Sequence, residues 1–188
     1  MIAPVPPGGP KPTREVGSKR IVVGNVDHVL IRLATLADAE AIRAIYNHEI
    51  LSTATFDILP RSPEEQRSWL TEHAGAYPAI VATSGSSVLG FGSLSRYRDR
   101  PAYATTVEDS VYVDGERRNQ GVGRALLAEL TRLATAHGFH TVVGRVVGDN
   151  EASIALHRSC GFELVGMERE VGRKLGRWLD VAVLQRML

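Results

Sequence analysis

One cysteine, Cys160, stands in a chain of 188 residues. That scarcity excludes an internal disulfide and any metal site built from several thiolates. No stretch approaches the ~18 consecutive apolar residues of a membrane-spanning helix, and the N-terminus shows no apolar core of the signal-peptide kind. Charge of one sign is also lacking: 22 basic and 21 acidic residues leave a formal net charge of +1. Neither nucleic acid nor a membrane surface is therefore an expected partner, and the runs Arg117-Arg118 and Arg173-Lys174 are too short to alter this. The 44% hydrophobic and 23% charged content is that of a soluble globular protein. A lone thiol suits the reducing cytoplasm, which is the expected location.

Residues 1–28 differ from the rest. Pro4, Pro6, Pro7, Pro10 and Pro12 crowd the start with Gly8 and Gly9, followed by scattered charges. Such a segment buries too little apolar surface to offset its ordering entropy, so it reads as a disordered extension or an upstream start. Residues 29–188 read as a single domain with its own core.

The domain alternates between two periodicities. Leu30 to Leu33 is a short strand, and Asp38 caps a helix with apolar positions at Ala41, Ile42, Ile45 and Ile50. Ser62-Pro63-Glu64-Glu65 is a helix-start sequence, carrying Trp69 and Leu70 inward. Ala79 to Thr83 and Val88 to Ser95 form a hairpin, and Ala102 to Val113 a longer strand. Val122 to His137 is an amphipathic helix stopping before Gly138. Thr141 to Val147 is a β-branched central strand, Glu151 to Ser159 a helix, and Phe162 to Gly166 with Leu179 to Leu184 a closing hairpin that turns around Gly172 to Gly176. The order β-α-α-β-β-β-α-β-α-β-β predicts an α/β (α+β) fold with a mixed, mostly antiparallel sheet of six or seven strands flanked by four helices.

Two Gly-x-Gly triplets are present, about the number that 18 glycines produce by chance. Gly90-Phe91-Gly92 lies inside a strand and needs no function. Gly121-Val122-Gly123 follows a strand and opens a helix, a context in which unpaired backbone N–H groups and the helix dipole attract an anion. Arg118 and Arg124 bracket it. A dinucleotide-binding reading fails because the third glycine of its motif is Leu126.

Arg118-Asn119-Gln120-Gly121-Val122-Gly123 resembles the (Gln/Arg)-x-x-Gly-x-(Gly/Ala) pyrophosphate loop of the GCN5-related N-acetyltransferases (GNAT), and Asn150 to Phe162 resembles their second cofactor segment. Asn47-His48, Glu108 to Val113, Leu156-His157 and Lys174 to Val181 narrow the resemblance to the phosphinothricin and methionine sulfoximine acetyltransferases. It spans about Val29 to Leu188.

The resemblance implies a GNAT fold and acetyl-CoA as cosubstrate, with no metal. Val111, Tyr112, Val113, Arg118, Asn119, Gln120, Gly121, Val122, Gly123, Arg124, Asn150 and Ser153 would hold it, the first three through their backbone. It implies Glu108 as the base that frees the amine, directly or through water, and puts His157 where the broader superfamily often has a tyrosine that protonates the leaving thiolate, a histidine there being able to serve as acid or base. Phe56, Arg98, Arg100, Tyr103 and Lys174 fall where such enzymes contact a small amine substrate; Arg96 reads as solvated. Lys174 and Trp178 would build a pocket wall or the contact of a homodimer. Cys160 reads as a small buried residue, with no activating partner in sequence. Two positions depart from the subfamily: Arg145, where a small or aliphatic residue is usual, and Val147, where glycine is expected.

The sequence is compatible with two other readings. A protein N-terminus or lysine as acceptor calls for an open acidic groove, against which the arginines before Glu108 argue. A non-catalytic acetyl-CoA-binding homologue would have lost Glu108 or His157, and both are present.

Overall fold

The computed structural model describes residues 19–23 and 26–188. Eight strands form one sheet in the order β1-β2-β3-β4-β5-β6-β8-β7. In chain order these are β1 (Lys19–Val23), β2 (Val26–Leu33), β3 (Ala79–Ser84), β4 (Ser87–Arg96), β5 (Thr106–Val113), β6 (Thr141–Val147), β7 (Glu163–Lys174) and β8 (Arg177–Met187). The helices are α1 (Ala39–Ile50), α2 (Pro63–Glu72), α3 (Val122–Ala136) and α4 (Glu151–Ser159). From β2 onward the order matches the sequence reading. Among the described residues β5 and β6 alone pair in parallel; every other neighbour is antiparallel. No described helix is long and apolar enough to cross a membrane.

The sheet separates two apolar clusters. Leu126, Leu127, Leu130 and Leu133 of α3 pack on Ile31, Ile80, Leu94, Val107 and Val142 from one face. Ile42, Ile45, Tyr46 and Leu70 of α1 and α2 pack on Val81 and Phe91 from the other. This division follows from the period-two alternation of the strands: Val107 points to the α3 side, Tyr112 to the α1 side.

Five details differ from the sequence reading. Lys19–Val23 and Val26–His28 form strand within the stretch assigned to the extension; Ile21-Val22-Val23 is a β-branched run, and it pairs with β2. The rest of that extension lies outside the described residues. Asp38 precedes α1 but does not cap its amides: its carboxylate takes both Arg32 nitrogens at 2.7 Å and the Thr35 amide at 2.8 Å. Ser62 does cap α2, reciprocally with Glu65. β5 starts at Thr106 rather than Ala102, because Pro101 to Tyr103 close a 3-10 turn onto Arg100. The last hairpin is longer than expected and turns at Leu175-Gly176, both with positive φ, as a two-residue type I′ turn requires. Finally, Gly90 and Gly92 do have a role. A Cβ at Gly90 would lie 2.7 Å from the Tyr112 carbonyl oxygen, and one at Gly92 2.9 Å from Leu130 Cδ1, so the pair lets α3 sit against β4.

Candidate active site

The site begins where the sheet opens. β5 and β6 pair from Thr106/Thr141 to Asp109/Gly144 and then part. Both strands continue, β5 held by β4 as far as Val113 and β6 by β8 as far as Val147. The facing backbone groups of Ser110–Val113 and Arg145–Val147 are therefore without strand partners along this V. A cavity of about 700 Å³ fills the opening, lined by Asp109 to Val113 on one side and Arg145 to Val147 on the other.

Two helix N-termini close its far side. α3 begins at Gly121, whose φ of 82° only glycine adopts readily, and no side chain caps its first amides. Those amides face the cavity with the positive end of a 15-residue helix behind them, an anion site by construction. Gly123 keeps the turn tight: a Cβ there would lie 3.2 Å from Leu156 Cδ2 of α4. Arg118 is held at the mouth by an ion pair with the buried Glu49 of α1. Asn150 caps α4 by accepting from the Ser153 amide at 3.1 Å, and both residues line the cavity. An extended ligand with phosphates at one end and hydrogen-bonding groups along its length fits these walls.

The apex of the V carries charged groups on both faces of the sheet. On the α3/α4 face His157 donates from Nδ1 to the Ser153 carbonyl at 2.8 Å, and its Nε2 meets Asp109 Oδ2 at 3.2 Å. On the opposite face stand Glu108 and, two residues past its register partner Val143, Arg145. Arg145 reaches over β8 to make a two-nitrogen ion pair with Glu168 of β7.

Comparison with known proteins agrees with this geometry. Residues 31–183 match the model of the acetyltransferase (GNAT) domain. The chain is 42% identical over 165 residues to phosphinothricin N-acetyltransferase of Streptomyces coelicolor, covering 85% of this chain and 96% of that one. It is 39% identical over 158 residues to the L-methionine sulfoximine/L-methionine sulfone acetyltransferase of Pseudomonas aeruginosa, covering 82% and 92%. A crystal structure of a GNAT phosphinothricin acetyltransferase from Sinorhizobium meliloti in complex with acetyl-CoA superposes with a TM-score of 0.79 at 41% identity, over 85% of this chain and 88% of that one.

The chain belongs to the GCN5-related N-acetyltransferase family. Within it, the chain falls in the phosphinothricin/methionine sulfoximine acetyltransferase-like group.

Of the acetyltransferase residues singled out for the donor, Val111 to Val113, Arg118, Asn119, Gly121 to Arg124, Asn150 and Ser153 all line the cavity. Gln120 does not; its side-chain amide turns back to the Glu116 carbonyl at 3.1 Å. His157 lines the cavity beside Asp109. Burial pushes the imidazole pKa down, but the hydrogen bond and charge of Asp109, with the Ser153 carbonyl, outweigh it and leave the ring above its ordinary range. Glu108 is half-buried behind the apex. Burial pushes its carboxyl above the usual carboxylate range; Arg145 opposes this, Asp109 and Glu168 add to it, and Arg98 opposes it more weakly.

The residues expected to contact the acceptor do not gather in one place. Arg98 lies 5.1 Å from the Tyr97 ring centroid and 5.7 Å from that of Tyr103, forming a cluster whose charge reaches Glu108. Arg100 is exposed at the start of the neighbouring turn. Phe56 covers Gly172 on β7, where a Cβ would meet its ring at 2.0 Å. Lys174 is buried with Nζ on the Thr55 carbonyl at 2.7 Å, and burial lowers its pKa. It lines a separate cavity of about 370 Å³ with Asn47 and Ile58. Trp178 is exposed at the end of the hairpin, and Cys160 is buried beside the Arg124 carbonyl.

Four functional candidates escaped the sequence reading: Asp109, Glu49, Glu168 and, as a cavity residue, Arg145. Asp109 left a signal. It occupies an inward position between Val107 and Val111 on an alternating strand, where a carboxylate is costly unless it is paired.

Proposed function

We propose that this N-acetyltransferase moves the acetyl group of acetyl-CoA to the α-amine of a small amino-acid-like substrate of the phosphinothricin, methionine sulfoximine or methionine sulfone type. The observation that carries the reading is the opening between β5 and β6, with an anion-binding turn at one end and proton-handling residues at its apex. The substrate class is supported by the names of the relatives, whose lengths the chain matches at 92% or more.

In this reading the pyrophosphate lies on the α3 N-terminus, with Arg118 beside it, and the pantetheine arm runs along Ser110 to Val113. Acetyl-CoA supplies an acyl group activated as a thioester. Glu108 takes the ammonium proton from the acceptor, directly or through one water, and a raised carboxyl pKa makes it a stronger base than a solvated glutamate. The amine nitrogen attacks the carbonyl carbon, the carbon–sulfur bond breaks, and His157 gives its proton to the sulfur. Backbone N–H groups of the opened β5 edge stabilise the charge that builds on the carbonyl oxygen. Arg98 and Tyr103 are the cation and hydroxyl nearest in kind to what an acceptor carboxylate or oxyanion needs.

A thiol-release assay tests this. Free methionine sulfone, methionine sulfoximine and phosphinothricin should each yield CoA with saturable kinetics, while peptides with free N-termini yield none. CoA release with peptides alone would overturn the substrate class.

We also propose a homodimer. Val165, Met167, Val171 and Trp178 of the β7–β8 hairpin are each about half exposed, an apolar surface of the kind that subunits bury. Sedimentation equilibrium should give twice the chain mass; a monomer at micromolar concentration would refute it.

A further inference from the structure

Asp109 has no part in the transfer just described, yet it is the most deeply buried acid at the apex. Its side chain and that of His157 retain 1% and 5% of their exposure. Oδ2 meets His157 Nε2, while Oδ1 is buried and accepts no hydrogen bond. Room for the pair is made by Gly144, the last residue of β6 to pair with β5. A Cβ there would lie 2.7 Å from His157 Nε2 and 3.2 Å from Asp109 Oδ1.

The hydrogen bonds decide the ring's state. The Ser153 carbonyl only accepts, so Nδ1 carries a hydrogen. A carboxylate also only accepts, so contact with Oδ2 calls for a second hydrogen on Nε2, and the ring is then an imidazolium. A buried ion pair with an unsatisfied oxygen is a poor way to gain stability, since desolvation cancels most of the attraction. We propose that Asp109 is a positioning residue of the acetyl transfer: its buried carboxylate aims the His157 ring and supplies the negative charge that holds an imidazolium beside the departing sulfur.

This rests on His157 acting as the acid. The Nε2 proton moves to the thiolate sulfur, the neutral ring keeps its Nδ1 proton on Ser153, and Asp109 ends unchanged. The 3.2 Å contact is long for a charge-assisted bond, which leaves the Nε2 hydrogen able to be shared with a ligand atom. Among the described residues no charge other than that of Asp109 bears on the ring. From α4 itself Glu151 and Arg158 are exposed, from α3 Arg124 is exposed, and Arg145 of β6 lies on the opposite face. Arg186 of β8 is held by the Cys160 carbonyl, and Phe162 meets the ring edge-on at 5.1 Å.

The test is Asp109→Asn, which keeps an acceptor oxygen and removes the charge. The His157 ring is followed by NMR in histidine-labelled protein, and kcat is measured across pH. The ring's titration midpoint should fall by about one unit or more, and the alkaline limb of kcat should fall with it, a loss that approaches roughly tenfold above the wild-type midpoint. A ring midpoint that stays put overturns the role of Asp109 while leaving His157 as the acid. A midpoint that moves with no change in the kcat profile removes His157 from the acid role, and this proposal falls with it. Should the variant fail to fold, the wild-type ring is decisive: ¹⁵N shifts at neutral pH should show both nitrogens protonated, and a singly protonated ring contradicts the proposal.

Discussion

Replacing Glu108 by glutamine should lower kcat/KM for a free amino acid by about 10²–10⁴-fold at neutral pH, the usual worth of a positioned base, and leave acetyl-CoA affinity nearly unchanged. Glu108 is not among the walls of the donor cavity. Gln is isosteric, so packing is retained and the carboxylate is lost. The wild-type profile has a definite sign. A base works only when deprotonated, so activity should fall as pH drops through the Glu108 pKa. Burial holds that pKa above the usual carboxylate range, so the acid limb should lie above it too. Linkage adds an independent check. A carboxyl whose pKa is raised by folding binds its proton more tightly in the native state, so its ionised form opposes folding at neutral pH. Glu108→Gln should therefore be slightly more stable than wild type there, with the difference vanishing at low pH. A parallel loss of acetyl-CoA binding and stability would instead mark Glu108 as structural.

Leu130→Ala should give the largest stability loss. Leu130 is fully buried at the centre of the α3 cluster and packs where Gly92 leaves no side chain on β4. Neighbours on a strand and a helix cannot collapse into the space it leaves, so the cost is about 2–5 kcal/mol. That is a large share of the ~5–15 kcal/mol by which domains are stable. Differential scanning calorimetry should show Tm lowered by roughly 5–20 °C, and the urea midpoint should fall without a change in slope. A shift below about 2 °C would mean that α3 does not pack as described.

How much of this was legible in the sequence depends on the range of each interaction. Helix α2 was readable because Ser62, Pro63 and Glu65 interact within one turn. The turn at Gly121 was readable once a strand before it and a helix after it gave the motif its context. Asp38 misled because Arg32, on another element, took the carboxylate that local rules assign to a helix cap. The final hairpin was read short because β7 is exposed along nearly all its length, so it shows little of the alternation that marks a strand. A bulge between Glu168 and Gly172 hides the remainder.

The site divides along the same line. The donor side is local, since a loop and two helix starts carry it, and nearly all of its residues reached the cavity wall. The apex is not local. Asp109 meets His157 only because β5 pairs with β6 in one register and Gly144 leaves space between them. Arg145 meets Glu168 only because β8 inserts between β6 and β7. No window of sequence contains these pairs. The residues expected at the acceptor are the least legible: Phe56 and Lys174 come together through the segment after α1 docking on β7, and neither lines the donor cavity.

One single-turnover experiment tests the central claim most directly. The protein is saturated with acetyl-CoA labelled in the acetyl group and mixed rapidly with methionine sulfone, and intact protein and small molecules are followed by mass spectrometry. Direct transfer is expected: label appears on the α-nitrogen of the amino acid as CoA appears, one for one, and the protein never carries it. Label on the protein (at Cys160 above all), or CoA formed without N-acetyl amino acid, would contradict it.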